Sequence, residues 1–241
     1  MSATGSTITA TIFDAVTDHT RPAFTFYDDA TGERTELSWA TLGNWAAKTA
    51  NFLTAELGCA PGDIVVVSLP EHWQTAGILL GSWWAGAHVH IPTPGAAEPD
   101  TPLAVFTDTD HIDDYPDAEE LIIAPLDPFA LPIGGLPPGV SDYGSRVRVH
   151  GDAMTGPSYR GPVLNGDSAA EVTAAARSAA QEAGISTGDR VLSTRPWRSP
   201  ADIVTNLLAP LLAGAELVWV AHPAGDQAGR ADTERATTVL S

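Results

Sequence analysis

The chain has 241 residues, 44% hydrophobic and 17% charged, a globular composition rather than a disordered one. With 30 acidic residues against 12 basic ones, the formal net charge is −18, a field that repels phosphate backbones and argues against binding to nucleic acid or anionic membranes. Cys59 is the sole cysteine, which excludes an internal disulfide and a cysteine-based zinc cluster and fits a reducing cytoplasm.

Helical spacing over 8–19 puts Ile8, Ile12, Ala15 and Val16 on one face. Runs 23–28 and 34–37 around Asp29-Ala30-Thr31-Gly32 read as a β-hairpin. Ser38 caps a helix over 39–57, which Gly58 ends. The continuous apolar run 64–69 is a strand of the kind found in parallel sheets covered on both faces. Pro70 stops it, a helix follows over 71–85, Gly86 breaks that, and 87–91 is a second strand, completing a βαβ unit. Strands are expected at 103–106 and 121–124, a Pro/Gly-rich loop between 125 and 144, and an alternating edge strand at 146–150. Ser168-Ala169-Ala170-Glu171 is a capping box opening a helix to Ala183. A strand at 190–194, a helix at 201–213 kinked at Pro210 and a strand at 216–221 complete the pattern. No basic residue precedes Arg21, so no secretion signal is expected. The apolar stretches 75–92 and 203–221 carry His88, His90, Asn206, Pro210 and Glu216, so neither reads as a membrane span.

Two stretches repeat the same punctuation. The first runs helix, Gly58, Pro61-Gly62-Asp63, strand, Leu69-Pro70, helix, Ala85-Gly86-Ala87, strand. The second runs helix, Gly184, Thr187-Gly188-Asp189, strand, Arg195-Pro196, helix, Ala213-Gly214-Ala215, strand. Pro70 follows Asp63 at the same interval as Pro196 follows Asp189. The physical reading is an α/β chain of two similar lobes with largely parallel sheets flanked by helices. Lobe 1 covers about 1–125 and lobe 2 about 145–241, joined by the Pro/Gly-rich connection.

The stretch from Leu57-Gly58-Cys59-Ala60-Pro61-Gly62-Asp63 to Leu69-Pro70, with Trp84-Ala85-Gly86-Ala87-His88-Val89-His90-Ile91-Pro92 after the helix, resembles the early region of acyl-CoA synthetases and related adenylate-forming (AMP-binding) enzymes. Ser38-Trp39-Ala40-Thr41-Leu42 is similar to that family's hairpin-to-helix entry, and 188–220 to the region downstream of its phosphate loop. More narrowly, the whole chain resembles short actinobacterial relatives of these enzymes. The resemblance implies the front half of the family's large N-terminal domain. It also implies a Ser/Thr/Gly-rich phosphate loop ending near Pro-Lys-Gly, before the helix that begins near Ser168. Here that place holds Asn165, Gly166, Asp167 and Ser168, short and without a lysine, and the Asp167 carboxylate opposes an incoming phosphate. Lys48, the sole lysine beside eleven arginines, lies in a helix of the other lobe. The family's adenine-contacting segment, magnesium-binding glutamate and C-terminal domain with its catalytic lysine would lie beyond Ser241, so acyl adenylation is not expected.

Other chemistry-bearing residues have competing readings. His88 and His90 point to one face of a strand and form a metal pair if His72 or Asp108 completes it, or else are polar strand-end residues. Asp108, Asp110, Asp113 and Asp114 are a hard-cation cluster or a solvated loop. Trp73, Trp83, Trp84 and Trp197 are packing aromatics or the lining of a pocket where the lobes meet. Ser193, Ser199 and His222 form no nucleophile pattern. The expectation is a non-catalytic binding or protein-interaction module, self-associating or bound to a partner protein, with no metal and no cofactor. The alternative is a residual acyl- or nucleotide-binding protein, or a ligase-like enzyme, using His72, Trp73, His88, His90 and Trp197 in a groove between lobes.

Overall fold

The computed structural model describes residues 7–153, 155–157 and 159–241. In chain order the elements begin with α1 (Ile8–Asp14), β1 (Pro22–Asp28), β2 (Glu33–Ser38), α2 (Trp39–Asn51), β3 (Ile64–Val67), α3 (Trp73–Ala85) and β4 (His88–His90). Next come β5 (Ala104–Thr107), β6 (Leu121–Ile123), β7 (Val140–Asp142), α4 (Tyr143–Arg148), β8 (Pro162–Leu164), β9 (Asp167–Ser168) and α5 (Ala169–Glu182). The chain ends with β10 (Arg190–Ser193), α6 (Pro200–Asp202), α7 (Ala209–Ala213), β11 (Glu216–Ala221), α8 (Gln227–Glu234) and β12 (Thr238–Leu240). Two compact units contain them: residues 1–10 with 43–169, and residues 11–42 with 170–241.

The first unit carries a seven-stranded sheet in the order β7-β6-β5-β3-β4-β8-β9, parallel except for the β8–β9 hairpin. Its central strands β3, β5 and β6 are largely apolar, as strands covered on both faces require: Val65, Val66, Val67, Val105, Phe106 and Ile122 are all buried. The helix α3 is buried from Trp73 to Ala85 with Trp84 partly exposed. A Cβ on Gly81 would stand 2.5 Å from the Thr49 Cβ, so the glycine lets α3 approach α2 closely. The Trp83 indole donates to the Val163 carbonyl at 2.9 Å and ties α3 to β8.

The second unit carries a five-stranded sheet, β12-β10-β11-β1-β2, parallel except for the β1–β2 hairpin. Phe24 and Phe26 of β1 pack against Trp197 and Trp219 on one face. Glu36, Arg190 and Glu216 meet on the polar side, where Thr25 also bonds to Glu216.

The repeated punctuation appears as repeated geometry. The strands β3 and β4 are parallel neighbours, as are β10 and β11. In each, the aspartate before the first strand caps its own turn: Asp63 accepts from the Ala60 N–H at 2.8 Å and Asp189 from the Ser186 N–H at 2.6 Å. The glycines that end the intervening helices, Gly86 and Gly214, sit at φ 86° and 72°, the left-handed region that favours glycine.

The structure departs from the sequence reading at several places. The hairpin 22–38 does not accompany 43–125; β1 pairs with β11, Phe24 opposite Leu217, and belongs to the second unit. Residues 145–169 lie in the first unit. The segment 146–150 is not an edge strand. The helix α4 occupies it, capped by Asp142, which accepts from the Gly144 and Ser145 N–H groups at 3.2 and 2.9 Å. Tyr143 and Val147, four apart, are its buried stripe, whereas the Val147/Val149 alternation is incidental because Val149 is exposed. The Pro/Gly-rich stretch contains β7, parallel to β6. The first helix stops at Asp14 rather than reaching 19. Before Pro210 the helix widens into a π segment, Ile203–Leu208, and the Ala209 N–H donates to the Val204 carbonyl, five residues back. A second π segment, Phe52–Glu56, ends α2. Among the described residues no helix is long and apolar enough to cross a membrane.

Candidate functional site

The clearest local arrangement of the predicted site residues is at the β4–β8–β9 edge. The three-residue strand β4 places His88 and His90 on one face by its alternation, with Val89 buried between them. The strand β8 pairs with it through Val89 and Leu164, then reverses at once into β9. The reversal is made by Asn165 at φ 42° and Gly166 at φ 103°, the pair of left-handed residues that a two-residue hairpin turn demands.

Four hydrogen bonds tie this turn to β4 and the residue after it. The Asn165 N–H donates to the Val89 carbonyl at 3.0 Å. The Asn165 amide makes two bonds to Ile91, accepting from its N–H at 2.9 Å and donating to its carbonyl at 3.0 Å. The Gly166 N–H donates to Nε2 of His88 at 3.0 Å. That nitrogen therefore carries no proton, and burial together with the neighbouring His90 lowers the His88 pKa below its ordinary 6.5. Nε2 of His90 stands 3.3 Å from the Glu98 carboxylate, a residue that sequence reasoning did not single out. Asp167, the residue after the turn, is exposed.

His72 is the N-cap of α3, its Nδ1 accepting from the Gln74 N–H at 3.2 Å, and its ring lies 5.6 Å from that of Trp73. Trp73 is 1% exposed and packs on Trp45 at 5.3 Å. Trp197 is in the second unit, in edge contact with Trp219 at 5.7 Å and Phe24 at 6.4 Å. Asp108 caps a 3₁₀ turn, accepting from the Asp110 N–H at 3.0 Å and pairing with His111 at 2.6 Å. Among the described residues no three His, Cys, Asp or Glu side chains converge as a metal site, so neither His72 nor Asp108 completes the His88–His90 pair. Lys48 reaches the Arg148 and His150 carbonyls at 3.5 and 2.6 Å, satisfying the exit of α4.

A charged network in the second unit was not legible in the sequence, because its members are scattered along the chain. Glu234 of α8 is 6% exposed and accepts from Tyr27, Arg34 and Arg190. Burial alone would raise its pKa, but the Tyr27 hydroxyl and the two guanidiniums overcome that and hold it below the ordinary 4.5. Glu216, 3.1 Å from Arg190, is shifted the other way: burial pushes its pKa up, and Arg190 offsets only part of this.

No protein-family model matches the chain. A protein of Mycobacterium tuberculosis (strain ATCC 25618 / H37Rv), named as a TIGR03089 family protein, is 43% identical over 243 residues, spanning 98% of this chain and 99% of its own length. Among solved structures, an acyl-CoA synthetase of Brucella canis superposes with a TM-score of 0.76 at 18% identity, covering 98% of this chain and 47% of its own. A benzoate CoA ligase from Burkholderia xenovorans LB400 gives 0.71 at 17%, covering 94% and 48%. The N-terminal domain of FACL13 from Mycobacterium tuberculosis gives 0.65 at 18%, covering 92% and 58%. This chain spans about half the length of the two full synthetase chains. At these identities the likeness establishes the fold, that of the N-terminal domain of the acyl-CoA synthetases.

Proposed function

The chain belongs to the TIGR03089 family, and on that premise we propose that it is a non-catalytic binding or protein-interaction module built on an acyl-CoA synthetase N-terminal fold. The observation that carries this reading is the Asn165-Gly166 turn. It stands where the family resemblance calls for a phosphate loop, yet its two amide hydrogens are spent on Val89 and His88. A phosphate would have to displace those bonds, each worth about 1 kcal/mol, next to the Asp167 carboxylate. The sole lysine is committed to the carbonyls that follow α4.

The interaction half of the reading rests on exposed apolar side chains. Phe129, Leu131 and Val149 are 68%, 55% and 82% exposed, and the Arg148 guanidinium, bonded to the Phe129 and Ala130 carbonyls, holds their two segments side by side. Self-association or a partner protein would cover them. The module needs no cofactor, and its lone buried thiol suits a cytoplasmic setting. Sedimentation over a range of concentrations tests this: a clean monomer throughout, with no protein captured, counts against the interaction role.

One observation favours ligand binding instead. The sequence before β8 carries Thr155 and Gly156 and ends in Arg160-Gly161, a Thr/Gly-containing run finished by a base and a glycine directly before a strand. Calorimetric and thermal-shift titrations with ATP–Mg²⁺, AMP, CoA and an acyl-CoA separate the two readings. No saturable response is expected. Saturable ATP–Mg²⁺ binding at about micromolar concentration overturns the non-catalytic reading.

A further inference from the structure

Four hydrogen bonds fasten the β8–β9 turn to β4, and one of them ends on a titratable atom. Val89 and Ile91 contribute backbone groups, which keep their roles at any pH. His88 contributes an imidazole nitrogen. As an acceptor, Nε2 must be unprotonated, so the neutral ring carries its hydrogen on Nδ1. Protonation places an N–H where the lone pair was, opposite the Gly166 N–H at 3.0 Å, and two donors then face each other.

We infer that His88 is a pH-sensitive latch on the hairpin: neutral, it holds the Gly166 N–H against β4, and protonated, it releases Gly166 while Asn165 keeps its own bonds to Val89 and Ile91. The surroundings favour the closed state. His90, two residues along the same strand, acts on His88 electrostatically and stands 3.3 Å from the Glu98 carboxylate of the loop after β4. On the β3 side, the Asp63 carbonyl accepts from the His88 N–H, and the Asp63 carboxylate is engaged by the Ala60 N–H. On the hairpin side, Asp167 follows Gly166 and is exposed. Burial, then His90, depresses the folded pKa below 6.5. The sign follows: the latch contributes fully above pH 6.5 and is lost as pH falls through the lower, folded pKa, because the unfolded chain takes up the proton first.

The experiment is amide hydrogen exchange by NMR across the His88 titration, corrected for intrinsic exchange, on the wild-type chain and on His88→Gln. Gln presents an acceptor oxygen that does not titrate. In the wild type, protection at Gly166 is expected to fall about tenfold as His88 protonates, with the Asn165 amide as an unchanged internal reference. In His88→Gln the step at Gly166 disappears. Constant protection at Gly166 through the titration, or the same step in His88→Gln, overturns the latch. Should the variant not fold, the imidazole ¹⁵N shifts of the wild type decide: neutral His88 with its proton on Nε2 overturns the latch, and on Nδ1 supports it.

Discussion

The Gly62 N–H donates to the Gly86 carbonyl at 2.9 Å, and Gly188 repeats the bond to Gly214 at 3.2 Å. The first member of each pair enters a strand and the second leaves the helix that follows. One turn thus closes on the other across each βαβ unit, and the sharing of this bond by both units is why their sequence punctuation matches.

The two helix-ending glycines have unequal surroundings. A Cβ at Gly86 would lie 2.6 Å from the Pro157 ring, whereas one at Gly214 would meet Thr187 at an ordinary 3.4 Å. Both substitutions carry the left-handed backbone cost of about 1–2 kcal/mol, and Gly86→Ala adds about 1–2 kcal/mol of overpacking. Urea denaturation of the two alanine variants should rank Gly86→Ala as the more damaging; equal losses would mean that the Pro157 contact yields freely.

Asn165→Ala removes both side-chain bonds to Ile91 and places alanine at φ 42°. A loss of about 2–3 kcal/mol is expected. Asn165→Gly relieves the backbone part and should recover about 1 kcal/mol of it. Thermal melts of the pair give the comparison, and a glycine variant no better than the alanine one would show that the turn does not hold the left-handed pair.

Glu216 and Glu234 touch the same arginine and should respond oppositely to neutralisation. Glu234 has its pKa lowered, so its contribution is complete above the unfolded value of 4.5 and fades as pH falls through the folded pKa. Glu234→Gln is expected to cost about 2 kcal/mol at pH 7. Glu216 has its pKa raised, so its ionised form weighs against folding once pH rises through the folded value. Glu216→Gln should leave stability at pH 7 unchanged or higher. Chemical denaturation at pH 7 reads both, and a Glu216→Gln loss as large as that of Glu234→Gln would refute the opposite signs.

Burial, with a smaller push from Asp63, raises the Cys59 thiol to about 12. At pH 8 about one thiol in ten thousand is ionised, so native protein should resist iodoacetamide over an hour while urea-unfolded protein is alkylated. Mass spectrometry after the reaction reports this. Rapid labelling of the native chain would place Cys59 at the surface.

The local grammar of the chain was readable where single residues do single jobs. Gly58, Gly86, Gly184 and Gly214 mark left-handed ends, and Ser38 caps α2 by accepting from the Thr41 N–H at 3.1 Å. Asn165-Gly166 is a strong hairpin signal in its own right, obscured by the expectation of a phosphate loop at that spot. The helix α4 was misread because Val147 and Val149 fit a two-residue period as well as Tyr143 and Val147 fit a helical one, and burial decides between them. Contacts distant in sequence were not readable at all. Nothing in Arg34, Arg190 or Glu234 alone distinguishes a member of a buried network from a solvated charge.

Pairing of β1 with β11 also sets an order of assembly. Phe24 finds Leu217 only after every strand of the other sheet, all lying between 64 and 168, has been made. During synthesis the early hairpin must wait with one edge unpaired while the intervening residues condense. Closing the second sheet is then a late step with a long loop to bring together, so folding should show a fast phase from the first unit and a slower one that reports Trp197 and Trp219 becoming buried.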